Sequence, residues 1–95
     1  MAELLTQEEI DRALAGELTH WTQQGDTITR SVKAPTFMDG IHFVQRVAEV
    51  AEDLDHHPDI DIRWRTVTFT LTTHAAHGLT ARDLRLAGDS DRLVD

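Results

Sequence analysis

The stretch "DIDIRWRTVTFTLTT", residues 59–73, decides the fold. Ile60, Ile62 and Trp64 alternate with Asp59, Asp61 and Arg63. Val67, Phe69 and Leu71 then alternate with Thr66, Thr68, Thr70 and Thr72. A period of two marks two half-buried strands. Only Arg65 and Thr66 separate them, so they pair as a hairpin. The apolar residues must share one face, because a slip of one residue would turn a whole set to solvent. Pairing Trp64 with Val67, Ile62 with Phe69 and Ile60 with Leu71 meets that condition. Continued outward, this register sets Pro58 against Thr73 and His57 against His74, with Cβ atoms about 4.5–5.5 Å apart. A slip of two residues would keep these histidines neighbours. His57 and His74 then share the threonine face, with His56 nearby.

Outward from the hairpin, three Ser/Thr-x-x-acid signals open helices. "TQEE", Thr6 to Glu9, has Leu5 before it and Ile10 after it as a hydrophobic staple, and Gly16 closes the element. "TFMD", Thr36 to Asp39, opens the long helix, in which Phe37, Ile41, Val44, Val47 or Ala48, Ala51 and Leu54 recur every three or four residues. "TARD", Thr80 to Asp83, opens the last helix between Leu79 and Leu84, and Gly88 with the polar "GDSD" is expected to shorten it. A weaker hairpin turns near Gly25, with Trp21, Ile28 and Val32 as core residues. The expected fold is α+β in the order α-β-β-α-β-β-α: a four-stranded antiparallel sheet with three helices on one face. Trp21, Trp64, Phe37, Phe43 and Phe69 are read as core.

The chain's 95 residues form one expected domain, 1–95, near the small end of what buries an independent core. No apolar run reaches the ~18 residues that span a bilayer, and Met1 is not followed by a signal-peptide pattern. A cytoplasmic protein is the expectation. The absence of cysteine excludes a disulfide framework, a thiolate metal site and a thiol nucleophile. A net charge of −8 repels phosphate backbones, so neither nucleic acid nor membrane is an expected partner.

Histidine both gives and takes a proton near neutral pH. His56, His57 and His74, gathered without a recognisable serine or cysteine nucleophile, point to acid–base chemistry without a covalent intermediate. Elimination of water is one such reaction, since hydroxide leaves only when protonated. The carboxylates of Glu52, Asp55 and Asp59 are placed to fix imidazole tautomers. Two other readings stand beside this one: a three-histidine zinc site, and histidines that are only polar surface. His20, His42 and His77 are read as surface residues. Asp83 has a structural job as the third residue of a capping box.

The same residues resemble a known signature. Glu52, His56, His57 and Pro58, then Trp64, His74 and Asp83 at gapless spacing, look like that of the pterin-4a-carbinolamine dehydratases. "TLTTHAAHGLTARDL" is similar to the family's strand-to-helix segment. The resemblance implies dehydration of 4a-hydroxytetrahydrobiopterin to quinonoid dihydrobiopterin in tetrahydrobiopterin recycling, with no metal and no cofactor. It assigns proton transfer to His56 and His74 and substrate orientation to His57. It places Pro58, Thr73, Ala75 and Ala76 against the pterin carbinolamine, with Glu52, Asp55 and Asp83 in support. It also implies a homodimer or homotetramer in which edge strands join. Ile60 and Ala75 depart from the family's usual aromatic and acidic residues. The alternative is a non-catalytic dimerisation or assembly module of the same fold.

Overall fold

The computed structural model describes residues 3–94; residues 1, 2 and 95, and with them the expected domain limits, lie outside the described residues. Helix α1 spans Gln7–Ala15 and opens on the expected capping box. Thr6 Oγ1 accepts the Glu9 N–H at 3.1 Å, and Glu9 Oε1 accepts the Thr6 N–H at 2.9 Å. Strands β1 (Thr22–Gln24) and β2 (Thr27–Lys33) form a hairpin. It turns through Gly25, whose φ of 60° suits a residue without Cβ. Helix α2 runs Phe37–Leu54, β3 Asp59–Arg63 and β4 Thr66–Leu71. A single 3-10 turn at His74–Ala76 precedes helix α3, Ala81–Asp91.

All three strand pairings are antiparallel, in the order β1-β2-β4-β3. Ile28, Val67, Phe69 and Leu71 form the buried side of the sheet and join Ile10, Phe43, Val47, Ala51 and Leu86 from the three helices in one core. Phe43 meets Phe69 edge-on, with ring centroids 5.5 Å apart. The opposite face is a hydroxyl ladder, in which Ser31 and Thr68 lie 2.7 Å apart. The α-β-β-α-β-β-α reading of the sequence holds.

Four details differ from expectation. First, the β3–β4 register is slipped by two residues: Ile60 pairs with Phe69 and Ile62 with Val67. Such a slip leaves every side chain on its face, so the alternation alone could not choose. The turn chooses instead. Trp64 and Arg65 form it, Trp64 with a left-handed φ of 53°. Arg65 is tied to the segment before α2: its carbonyl accepts the Ala34 N–H at 2.8 Å, and its guanidinium donates to the Pro35 carbonyl at 3.1 Å. Second, Trp64 is not core but 71% exposed, and Ile60 and Ile62 remain 36% and 39% exposed, because β3 is an edge strand that the helices do not cover. Third, the buried side of α2 is Gly40, Phe43, Val47 and Ala51, offset from the predicted row, which leaves Phe37 exposed. Fourth, α3 is not shortened at Gly88. Asp91 holds its far end by accepting Trp21 Nε1–H at 2.9 Å and an Arg30 guanidinium N–H at 2.5 Å. No helix of the described residues is long and apolar enough to cross a membrane.

Candidate active site

The site lies at the open end of the β3–β4 hairpin, where α2 finishes and α3 begins. Asp55 closes α2 in a left-handed conformation (φ 49°, ψ 46°). The turn is secured by the His56 N–H donating to the Ala51 carbonyl at 3.0 Å. Arg82, in the first turn of α3, donates to the carbonyls of Leu54, at 3.2 Å, and Asp55. These bonds clamp the two helix ends together and send the two adjacent histidines in different directions.

His56 turns inward. It is 7% exposed, and its Nε2 lies 2.6 Å from Oδ1 of Asp83, which is 0% exposed. The other Asp83 oxygen accepts the Thr73 hydroxyl at 2.7 Å and the Thr80 N–H at 2.9 Å. Asp83 is therefore more than the third residue of the α3 capping box, because it also receives His56. A buried carboxylate needs such donors to offset lost hydration. With the carboxylate accepting, Nε2 carries the proton in the neutral ring, and Nδ1 is the free basic position. His56 Nδ1 makes no hydrogen bond among the described residues. It is not sealed either: among the described residues Arg65 Nε is the one buried side-chain nitrogen or oxygen without a partner.

His57 turns outward, exposed, and its Nε2 is bonded to Glu52 Oε2 from the last turn of α2. Pro58 is half-buried at the start of β3. On the other strand, Thr73 and Gly78 exchange backbone hydrogen bonds at 3.0 and 3.4 Å. They close the loop that carries His74, Ala75, Ala76 and His77. A Cβ on Gly78 would lie 2.9 Å from Leu4 Cδ2, so the chain before α1 packs directly behind this loop. The His74 side chain is exposed and makes no hydrogen bond among the described residues, while its carbonyl accepts the His77 N–H at 3.1 Å in the 3-10 turn it begins. His20, His42 and His77 are exposed, as expected.

The expectation of His57 directly opposite His74 is corrected by the register. Continued past its last pair, the observed ladder sets His57 against Thr72 and His56 against Thr73. Asp83 joins those latter two, His56 and Thr73, through its two oxygens. The three histidines belong to one end of the hairpin, but as one buried and two exposed side chains. Glu52 partners His57 rather than His56. Asp55 contributes its backbone to the helix clamp. Asp59 begins β3, exposed. Among the described residues no three His, Asp or Glu side chains converge in a group that could hold a metal. Thr80 is the residue that sequence reasoning passed over: its cap signal was visible, but its link to Thr73 was not.

Residues 3–93 match the family described as Pterin 4 alpha carbinolamine dehydratase. The chain belongs to this family. A provisionally named pterin-4-alpha-carbinolamine dehydratase of Mycobacteroides abscessus is 57% identical over 91 residues, 96% of each chain. Among solved structures, a Brucella melitensis protein described as a transcriptional coactivator/pterin dehydratase superposes with a TM-score of 0.92. That pair is 32% identical, over 98% of this chain and 100% of the other. A pterin dehydratase-like protein described as a RuBisCO assembly factor in the alpha-carboxysome shares the fold, with a TM-score of 0.67 at 21% identity over 77% of this chain and 87% of its own.

Proposed function

We propose that this member of the pterin carbinolamine dehydratase family is an active hydro-lyase. Its substrate is 4a-hydroxytetrahydrobiopterin, its product quinonoid dihydrobiopterin, and its setting tetrahydrobiopterin recycling in the cytoplasm. The observation that carries the reading is the His56–Asp83 pair. A buried carboxylate holds one imidazole nitrogen and leaves the other without a hydrogen-bond partner among the described residues, at the end of the hairpin that also bears His57 and His74. In the reaction, one histidine protonates the C4a hydroxyl, which departs as water. A second accepts the N5 proton, and the N–H electron pair becomes the new N5=C4a bond. His56 and His74 are the proton-transfer groups, and His57, braced by Glu52, orients the pterin. Pro58, Ala75 and Ala76 line the ligand, and Asp83, Asp55 and Glu52 support the histidines. The reaction needs no metal and no cofactor.

The test is dehydration of the synthetic carbinolamine by wild type and by His56→Ala and His74→Ala. Each replacement should lower the rate by about 10²–10⁴-fold. A wild-type rate equal to that of buffer overturns the reading.

The exposed edge of β3, with Ile60, Ile62 and Trp64, supports a homodimer in which two edge strands join, or a tetramer of such dimers. The same edge favours the second reading, a non-catalytic dimerisation or assembly module. An inactive wild type that still self-associates through β3 would decide for it.

A further inference from the structure

We propose that Thr73, which the family resemblance places against the pterin, is instead a positioning residue for His56, acting through its hydroxyl on Asp83 rather than by touching substrate. Thr73 is 4% exposed. Its N–H donates to the Gly78 carbonyl, and its own carbonyl accepts from Ala76 and Gly78. Its hydroxyl lies 2.7 Å from Asp83 Oδ2 and 2.7 Å from the Thr80 hydroxyl. Every polar atom it has is already engaged inside the chain.

Counting protons fixes the direction of this relay. Asp83 accepts, so Thr73 spends its one hydroxyl proton on Oδ2. The Thr80 hydroxyl must then donate to Thr73, while its oxygen accepts the Arg82 N–H at 3.3 Å. The chain runs from the first turn of α3 through Thr80 and Thr73 to Asp83, and ends on His56 Nε2–H. Two donors on Oδ2, the Thr73 hydroxyl and the Thr80 N–H, stop the carboxylate from rotating, and Oδ1 stays aimed at the imidazole. A fixed carboxylate keeps the neutral ring in the Nε2–H tautomer, which leaves Nδ1 as the proton-accepting atom. The helix cap and the orientation of the imidazole are one hydrogen-bonded unit.

The consequence for rate rests on the dehydratase reading; the tautomer does not, so both are measured. Ring 15N shifts of the unliganded wild type should report neutral His56 as the Nε2–H form. A neutral Nδ1–H ring in wild type overturns the proposal without any variant. Thr73→Val keeps the shape and removes the hydroxyl. It should give a mixture of tautomers, with kcat lowered about 10- to 100-fold, the scale of one hydrogen bond to a charged group, and KM little changed. Thr73→Ser should restore both. In Asp83→Asn the amide oxygen must stay with the Thr73 and Thr80 donors, so its NH2 faces His56 and should switch the ring to Nδ1–H. If Thr73→Val does not fold, the Thr73→Ser and Asp83→Asn spectra decide. A Thr73→Val protein with the wild-type tautomer, or an Asp83→Asn protein still in the Nε2–H form, overturns the relay. A wild type inactive on the carbinolamine that shows the expected tautomers removes the dehydratase reading and supports the relay.

Discussion

At its open end the β3–β4 hairpin buries a histidine and an aspartate; at its turn it exposes a tryptophan. The contrast inverts what polarity alone predicts. His56 and Asp83 tolerate burial because every carboxylate lone pair that matters has a donor: Nε2–H, the Thr73 hydroxyl and the Thr80 N–H. Trp64 stays outside because the turn places it beyond the helices, where the Arg65 guanidinium lies over its ring, 4.5 Å from the centroid. Burial in this molecule follows position relative to the helices, and the side chains at each place answer with satisfied hydrogen bonds or with open apolar surface.

The contrast breaks most sharply at the polar end. His56→Ala is expected to cut turnover by about 10²–10⁴-fold while leaving the fold in place, as read by the dehydration assay and circular dichroism. Asp83→Ala removes the carboxylate half of the α3 capping box and leaves buried donors without an acceptor. Urea unfolding should show a loss of about 2–4 kcal/mol. At the apolar end, Ile62→Lys should leave the unfolding midpoint of the isolated chain nearly unchanged. It should weaken self-association by at least about tenfold in sedimentation equilibrium, the effect of one central interface residue. An Ile62→Lys protein that associates as wild type does would show that the exposed edge is not an interface.

The smallest expected effect lies away from both ends. The Thr6 N–H, bonded to the Glu9 carboxylate, holds the Glu9 pKa below its ordinary 4.5, with the Thr6 hydroxyl and Arg12 acting in the same direction. A depressed folded-state value means that the stabilisation is present above the unfolded pKa and is lost as pH falls through the folded one. The melting temperatures of wild type and Glu9→Gln should therefore differ slightly at neutral pH and converge as pH falls through the lowered Glu9 value.

Local signals were easy to read where they are complete in a few residues. The Thr6–Glu9 and Thr80–Asp83 boxes each contain both partners of their cap bonds, so the starts of α1 and α3 follow directly. The threonine alternation in β4 likewise states which side is buried. The register of β3 was not readable, because a two-residue slip preserves every face and the choice came from Arg65 reaching Ala34 and Pro35. The same holds for the far end of α3, where Gly88 and its polar neighbours argued for a stop and Asp91 found Trp21 and Arg30 instead.

The sequence by itself determined the kinds and order of the elements and gathered His56, His57 and His74 at one end of a hairpin. Periodicity and caps are properties of neighbours along the chain. Tertiary structure alone decided that His56 goes under α3 while His57 stays in water. It alone made one carboxylate serve both a helix cap and an imidazole. Those outcomes depend on Asp83 and Thr73, 27 and 17 residues away from His56, meeting in a space that forms only when α2, α3 and the sheet are packed together.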